Sequence, residues 1–183
     1  MTVTTRAVAA LVAVVWSLSA VGCGSTTDGK PVEATSTPTA DPDEPAGLFD
    51  PCTEISDDLL RQMGVDPATE EADLAGVEYP GWKVCSWSGP WYFLTVFVGD
   101  KSLDQMRENK SFTKFRDIKI GTRDALQYQS TSSMQDEDCF IGYAVNGGVV
   151  MIEVATMFSE EKAEDPCDVV IRDAIALNSV LPN

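Results

Sequence analysis

The sequence predicts an α+β domain: an antiparallel β-sheet of about six strands with helices packed on one side, held by two disulfides. Three observations carry this. Runs rich in aromatic and β-branched residues recur between residues 82 and 156, separated by turn signals. Capping residues and helical spacing appear near 56–64, 102–109 and 166–181. Cys52, Cys85, Cys139 and Cys167 all fall in this same region.

The elements follow in order. Leu48-Phe49-Asp50-Pro51-Cys52 introduces a first helix, which Ser56 caps, Asp57 and Asp58 favour at its positive end, and Gly64 closes. Ile55, Leu59, Leu60 and Met63 supply its apolar face. The polar stretch 66–76 reads as loop. Residues 82–88 and 91–98 read as strands around Gly89-Pro90, and 102–109 as a short helix capped by Ser102. Further strands are expected at 115–120 and 125–129. Residues 139–145 and 149–156 flank Asn146-Gly147, the pair suited to a type I′ hairpin turn. Alternation then places Ile152, Val154 and Thr156 on one face, with Met151, Glu153 and Ala155 on the other. Residues 166–181 show helical spacing at Val170, Ala174, Leu177 and Leu181, and Pro182 ends the helix. Hairpin-linked strands imply an antiparallel sheet, and three helices cover one side of it.

The first residues set an address. MTVTTR carries Arg6, and AVAALVAVVWSLSA at 7–20 carries no charge. That run is shorter than the about 20 residues a membrane span needs, and it suits a signal peptide over 1–22. Ala20-Val21-Gly22-Cys23 resembles the lipobox of bacterial lipoproteins, with Ala20 where leucine is commonest. Diacylglycerol on the Cys23 thiol supplies two chains, enough for stable anchoring without a polybasic patch. Residues 23–47 are dominated by Ser, Thr, Pro, Gly and acids and read as a disordered tether, roughly 25–30 Å long as a flexible coil. Residues 48–183 form one domain of ordinary size. The expected location is the extracytoplasmic face of the cell membrane, held there by lipid.

With Cys23 assigned to lipid, the other four cysteines read as two disulfides in an exported chain. Of three possible connectivities, Cys52–Cys85 with Cys139–Cys167 ties each helix to its nearest β segment. Zinc is disfavoured as a metal, since the chain has no CxxC and no histidine.

Charge excludes a partner class. The chain has 13 cations, 29 acids and a net charge of −16; removing 1–22 takes away Arg6 alone, leaving −17. Nucleic acid, whose binding rests on Lys and Arg neutralising phosphates, is not expected as a partner. The absence of histidine removes Ser-His-Asp and Cys-His chemistry, and no GxSxG, P-loop or Rossmann glycine pattern occurs. The acids single out no carboxylate pair. No catalytic residue and no cofactor is expected. Asp136-Glu137-Asp138 lacks the spacing and glycine of a calcium loop and reads as a solvated turn.

GWKVCSWSGPWYF, 81–93, brings three tryptophans together. Alternation from Cys85 puts Trp87 on the same face, packed against the bridge. Trp82 and Trp91, with Tyr92, then form a candidate aromatic binding surface, with core packing as the competing reading.

FDPC at 49–52, the following IxxxLL helix, Cys85-Ser86-Trp87 and two later cysteines resemble the actinobacterial lipoproteins of the DUF3558 family, from Leu48 onward. The resemblance implies an actinobacterial envelope lipoprotein, similar in outline to small α+β domains of the PsbP/Mog1 type, and it supplies no catalytic residues. Two roles stand open. One is a non-enzymatic accessory domain for an envelope protein, marked by an exposed apolar patch. The other is a binder of a small lipid, glycan fragment or peptide, marked by a concave pocket of about 300 Å³ or more.

Overall fold

The computed structural model describes residues 47–74, 76–77, 79–131 and 137–183. The expected signal peptide, Cys23 and the tether up to residue 46 lie outside these residues, as does Asp136.

Seven strands make one antiparallel sheet. β1 (Asp66–Ala72), β2 (Trp82–Ser88) and β3 (Tyr92–Gly99) form one meander. β4 (Phe112–Ile120), β5 (Arg123–Ser130), β6 (Asp138–Val145) and β7 (Gly148–Thr156) form a second. The order is β1-β2-β3-β7-β6-β5-β4, so the second meander returns its last strand to the middle, where β7 pairs with β3 from Tyr92↔Thr156 to Gly99↔Val149.

Register decides the faces. Cys85↔Val96, Trp87↔Leu94, Leu94↔Val154, Val96↔Ile152 and Ile141↔Ile152 place their side chains together on one face. α1 (Pro51–Glu54), α2 (Asp57–Met63) and α4 (Pro166–Leu177) cover that face, packing Leu60, Met63, Val170, Ala174 and Leu177 into the same core. Trp87, Leu94, Ile141 and Ile152 are fully buried. Each such side chain stabilises the fold by about 1.5–3 kcal/mol. Trp87 sits in the core with Cys85, as alternation predicted.

The helices begin and end where their caps dictate. Ser56 accepts from the Leu59 amide, Asp57 and Asp58 pair with Arg61, and Gly64 closes α2 at φ 86°. α3 (Leu103–Glu108) opens on a reciprocal Ser102–Gln105 capping box. Asp165 caps α4, with Pro166 in its first turn.

The disulfides join Cys52 to Cys85 and Cys139 to Cys167, with Cα–Cα separations of 5.3 and 5.0 Å. They tie α1 to β2 and α4 to β6. Loops of this length correspond to about 3–4 kcal/mol each on a chain-entropy model.

Several features depart from the sequence-based expectation. The strand count is seven, because 66–72, expected as loop, pairs with β2 through its backbone while its polar side chains stay largely exposed. The first helix is two, since Ile55 takes an extended conformation between α1 and α2. β4 begins at Phe112, through an irregularity between Thr113 and Arg116 where Lys114 has φ 55°. α4 ends at Leu177, although Leu181 beyond it is still buried. At the Asn146-Gly147 turn Gly147 alone takes a positive φ, 90°, so the turn is not type I′; the Asn146 amide donates instead to the Asn183 carbonyl at 2.8 Å.

The helices also do not all lie on one side. α3 packs on the opposite face, where Met106 and Leu103 meet Leu126, Tyr128, Phe140 and Met151. The chain leaves β3 in the middle of the sheet and re-enters at the far edge strand β4. It must cross one face, and the other is filled by α4.

Candidate functional site

α4 stands over β6 and β7, to which the Cys139–Cys167 bridge fastens its first turn. The sheet continues two strands further, and a cleft of about 470 Å³ opens there between β4, β5 and the start of α4. Gln127 and Gln129 of β5, both more than nine-tenths buried, line it from the sheet. Arg116 and Ile118 stand on the β4 side; Asp165, Asp168 and Ile171 stand on the helix side.

The polar groups differ in how far they are engaged. The Gln127 amide donates to Cys139 Sγ at 3.6 Å, and its carbonyl oxygen accepts from no described residue. Gln129 donates to the Asp138 carbonyl at 3.0 Å. Asp165 accepts from the Cys167 amide at 2.8 Å, and Lys119 pairs with Asp124 at 2.6 Å. Arg116 and Asp168, both exposed, make no side-chain hydrogen bond or ion pair with any described residue. The cleft therefore presents one unpaired cation, one unpaired carboxylate on the opposite wall, and a buried amide between them. None of these stood out in the sequence. The signal was Gln127-Tyr128-Gln129, two amides two residues apart and so on one face of a strand.

The expected aromatic surface is not assembled. Trp91 and Tyr92 are core residues, 7% and 2% exposed, in edge contact with ring centroids 5.0 Å apart. The Tyr92 hydroxyl donates to the Met63 carbonyl at 3.0 Å, locking β3 to α2. Burial, reinforced by Asp173 and opposed by Arg172, pushes its phenol up to about 12. Alternation turned Tyr92 inward and put its neighbour Phe93, 42% exposed, outside. Trp82 is partly buried, packed edge-on against Phe97 on the α3 face.

Two carboxyls are displaced from their ordinary range, and neither lines the cleft. Asp173 of α4 is fully buried, neither oxygen has a hydrogen-bond partner, and Arg172 Nε stands 4.0 Å away, beyond bonding distance. Burial raises it to about 7, Arg172 opposing and Glu164 adding to the shift. Glu153 lies on the opposite sheet face between Thr95 and Phe140, and burial, then Asp138, raises it to about 8.

The acidic run expected as a solvated turn is bonded instead where it is described. Asp138 accepts from the Ser130 amide at 2.9 Å and from the Ser130 hydroxyl, and Glu137 holds Thr156 and Lys162. Glu70 lies within 4.8 Å of the Cys52 and Cys85 sulfurs, but these are joined to each other, leaving a single oxygen donor. No helix among the described residues is long and apolar enough to cross a membrane.

A family model described as protein of unknown function (DUF3558) matches residues 18–178. The chain belongs to the DUF3558 family. The match takes in the whole two-meander sheet of this DUF3558 domain, both disulfides and the cleft. No curated protein and no solved structure matches it.

Proposed function

We propose that this DUF3558 chain is an envelope lipoprotein. It is exported, acylated on Cys23 and displayed by its lipid on the extracytoplasmic face of the cell membrane, with a tether at 23–47 and a non-enzymatic binding domain from residue 48. The address rests on the charge-free run at 7–20 and the Gly22-Cys23 pair at its end. The binding role rests on the cleft: about 470 Å³, bounded by the sheet and α4, with a few convergent polar groups and apolar isoleucines. That is the shape of a small-ligand site. The displaced carboxyls, Asp173 and Glu153, lie elsewhere, and the chain has no histidine, which favours binding over turnover.

A second reading, an accessory domain docking a partner protein, draws on Phe93 and Phe158, 42% and 81% exposed. They stand at the same end of the sheet, where the Met157 amide donates to the Trp91 carbonyl.

Two measurements test the proposal. Cys23→Ala should shift the protein from membranes to the soluble fraction; membrane association that persists in high salt overturns the anchor. A native mass spectrum of the mature protein, purified from its host in mild detergent, should show a small extra mass beyond the acyl chains. A bare mass with a co-purifying polypeptide moves the weight to the accessory reading.

A further inference from the structure

We propose that the cleft between β4, β5 and α4 binds a short peptide by its two charged ends. This deepens the small-ligand reading above and rests on it. The Arg116 guanidinium, with no side-chain partner among the described residues, offers a carboxylate two donors in a fixed fork. The Asp168 carboxylate on the opposite wall, also without a side-chain partner among the described residues, offers an ammonium its counter-ion. Between them the Gln127 carbonyl oxygen, open in a residue 5% exposed, matches a peptide N–H. Ile118 and Ile171, partly buried, flank the path and suit small aliphatic side chains.

Other ligand classes fit less well. A simple anion attracted to Arg116 meets Asp165 and Asp168 across the cleft, and a polycation meets Arg116 and Lys119. Among the described residues no aromatic ring lines the cleft to stack on a sugar, and its charged walls disfavour an acyl chain. A zwitterion with an amide between its charges satisfies all three groups at once. Leaving any one of them buried against an unmatched ligand carries a desolvation cost.

The test is calorimetric titration of the mature protein with trialanine and with its N-acetyl and C-amide forms. Trialanine should bind saturably, and each cap should weaken binding at least tenfold. Arg116→Ala should bind trialanine and its C-amide alike; Asp168→Asn should lose the discrimination against the N-acetyl form. Both side chains are exposed, so unchanged melting temperatures will show that the variants fold. Equal binding of free and capped peptides overturns the assignment. So does the absence of saturable binding, even where native mass spectrometry finds another bound species. A native spectrum with no bound species overturns the small-ligand reading beneath it.

Discussion

Trp82 lies against Gly99 so closely that a Cβ on the glycine would stand 2.5 Å from the indole ring. The two are register partners across β2 and β3, so the ring covers the end of β3. On its other side the Gly99 carbonyl meets Gly148, where a Cβ would come within 1.9 Å of the oxygen. Gly99→Ala must push the indole off the strand, and we expect a loss of about 1–3 kcal/mol. Urea denaturation measures it, and a red shift of tryptophan emission should accompany it. An unshifted spectrum with full stability would mean that the ring is not seated there.

Replacing the inward aromatics should cost what core residues cost. Tyr92→Phe removes the hydrogen bond to Met63 and should lower stability by about 1 kcal/mol. Trp91→Ala should lower it by about 3–5 kcal/mol. Phe93→Ser, on the exposed side of the same strand, should fall within about 0.5 kcal/mol of the parent. Denaturation midpoints at one pH separate the three.

Asp173 makes stability fall with rising pH. Its carboxyl is raised from 3.8 to about 7 in the folded chain, so the unfolded chain gives up this proton first. The contribution is complete below about pH 4 and lost as pH rises through 7. Asn resembles the protonated acid. Asp173→Asn should therefore exceed the parent by about 2–4 kcal/mol at pH 8–9, with the gap closing toward pH 4. Glu153→Gln should act in the same direction, with its gap opening through about pH 8. Urea midpoints across pH 4–9 test both, and a parent that gains stability over that range would contradict the burial argument.

The bridges should appear in unreduced peptide maps as Cys52 with Cys85 and Cys139 with Cys167. A Cys52–Cys167 peptide would contradict the topology. Removing the second bridge as Cys139→Ser with Cys167→Ser should cost about 3–4 kcal/mol. Because it holds the helix wall of the cleft, the same variant should also weaken trialanine binding.

Much of the sheet was legible because its strands carry their own pattern. Ile152, Val154 and Thr156 share the core face as alternation required, and Ser56 and Ser102 cap their helices through local bonds that neighbouring residues suffice to form. β1 was not legible, since Asp66–Ala72 has no apolar face and is a strand only because β2 offers it a backbone edge. Trp91 and Tyr92 were misplaced for a related reason. The run 81–93 shows that aromatics cluster but not which phase of the alternation points inward, and that is set by what Tyr92 finds at Met63.

The sequence alone determined the α+β class and the helix caps at Ser56 and Ser102, which follow from local chemistry, and it favoured one of three cysteine pairings through short chain separation. The side of the sheet that α3 takes, the pairing of β3 with β7, and the cleft were decided only by the tertiary structure. Arg116, Gln127 and Asp168 are brought to one cleft because Cys139–Cys167 holds the first turn of α4 over β6, leaving β5 and β4 open beside it. No local pattern encodes where a helix ends its reach across a sheet; that depends on how both meanders bury their apolar faces together.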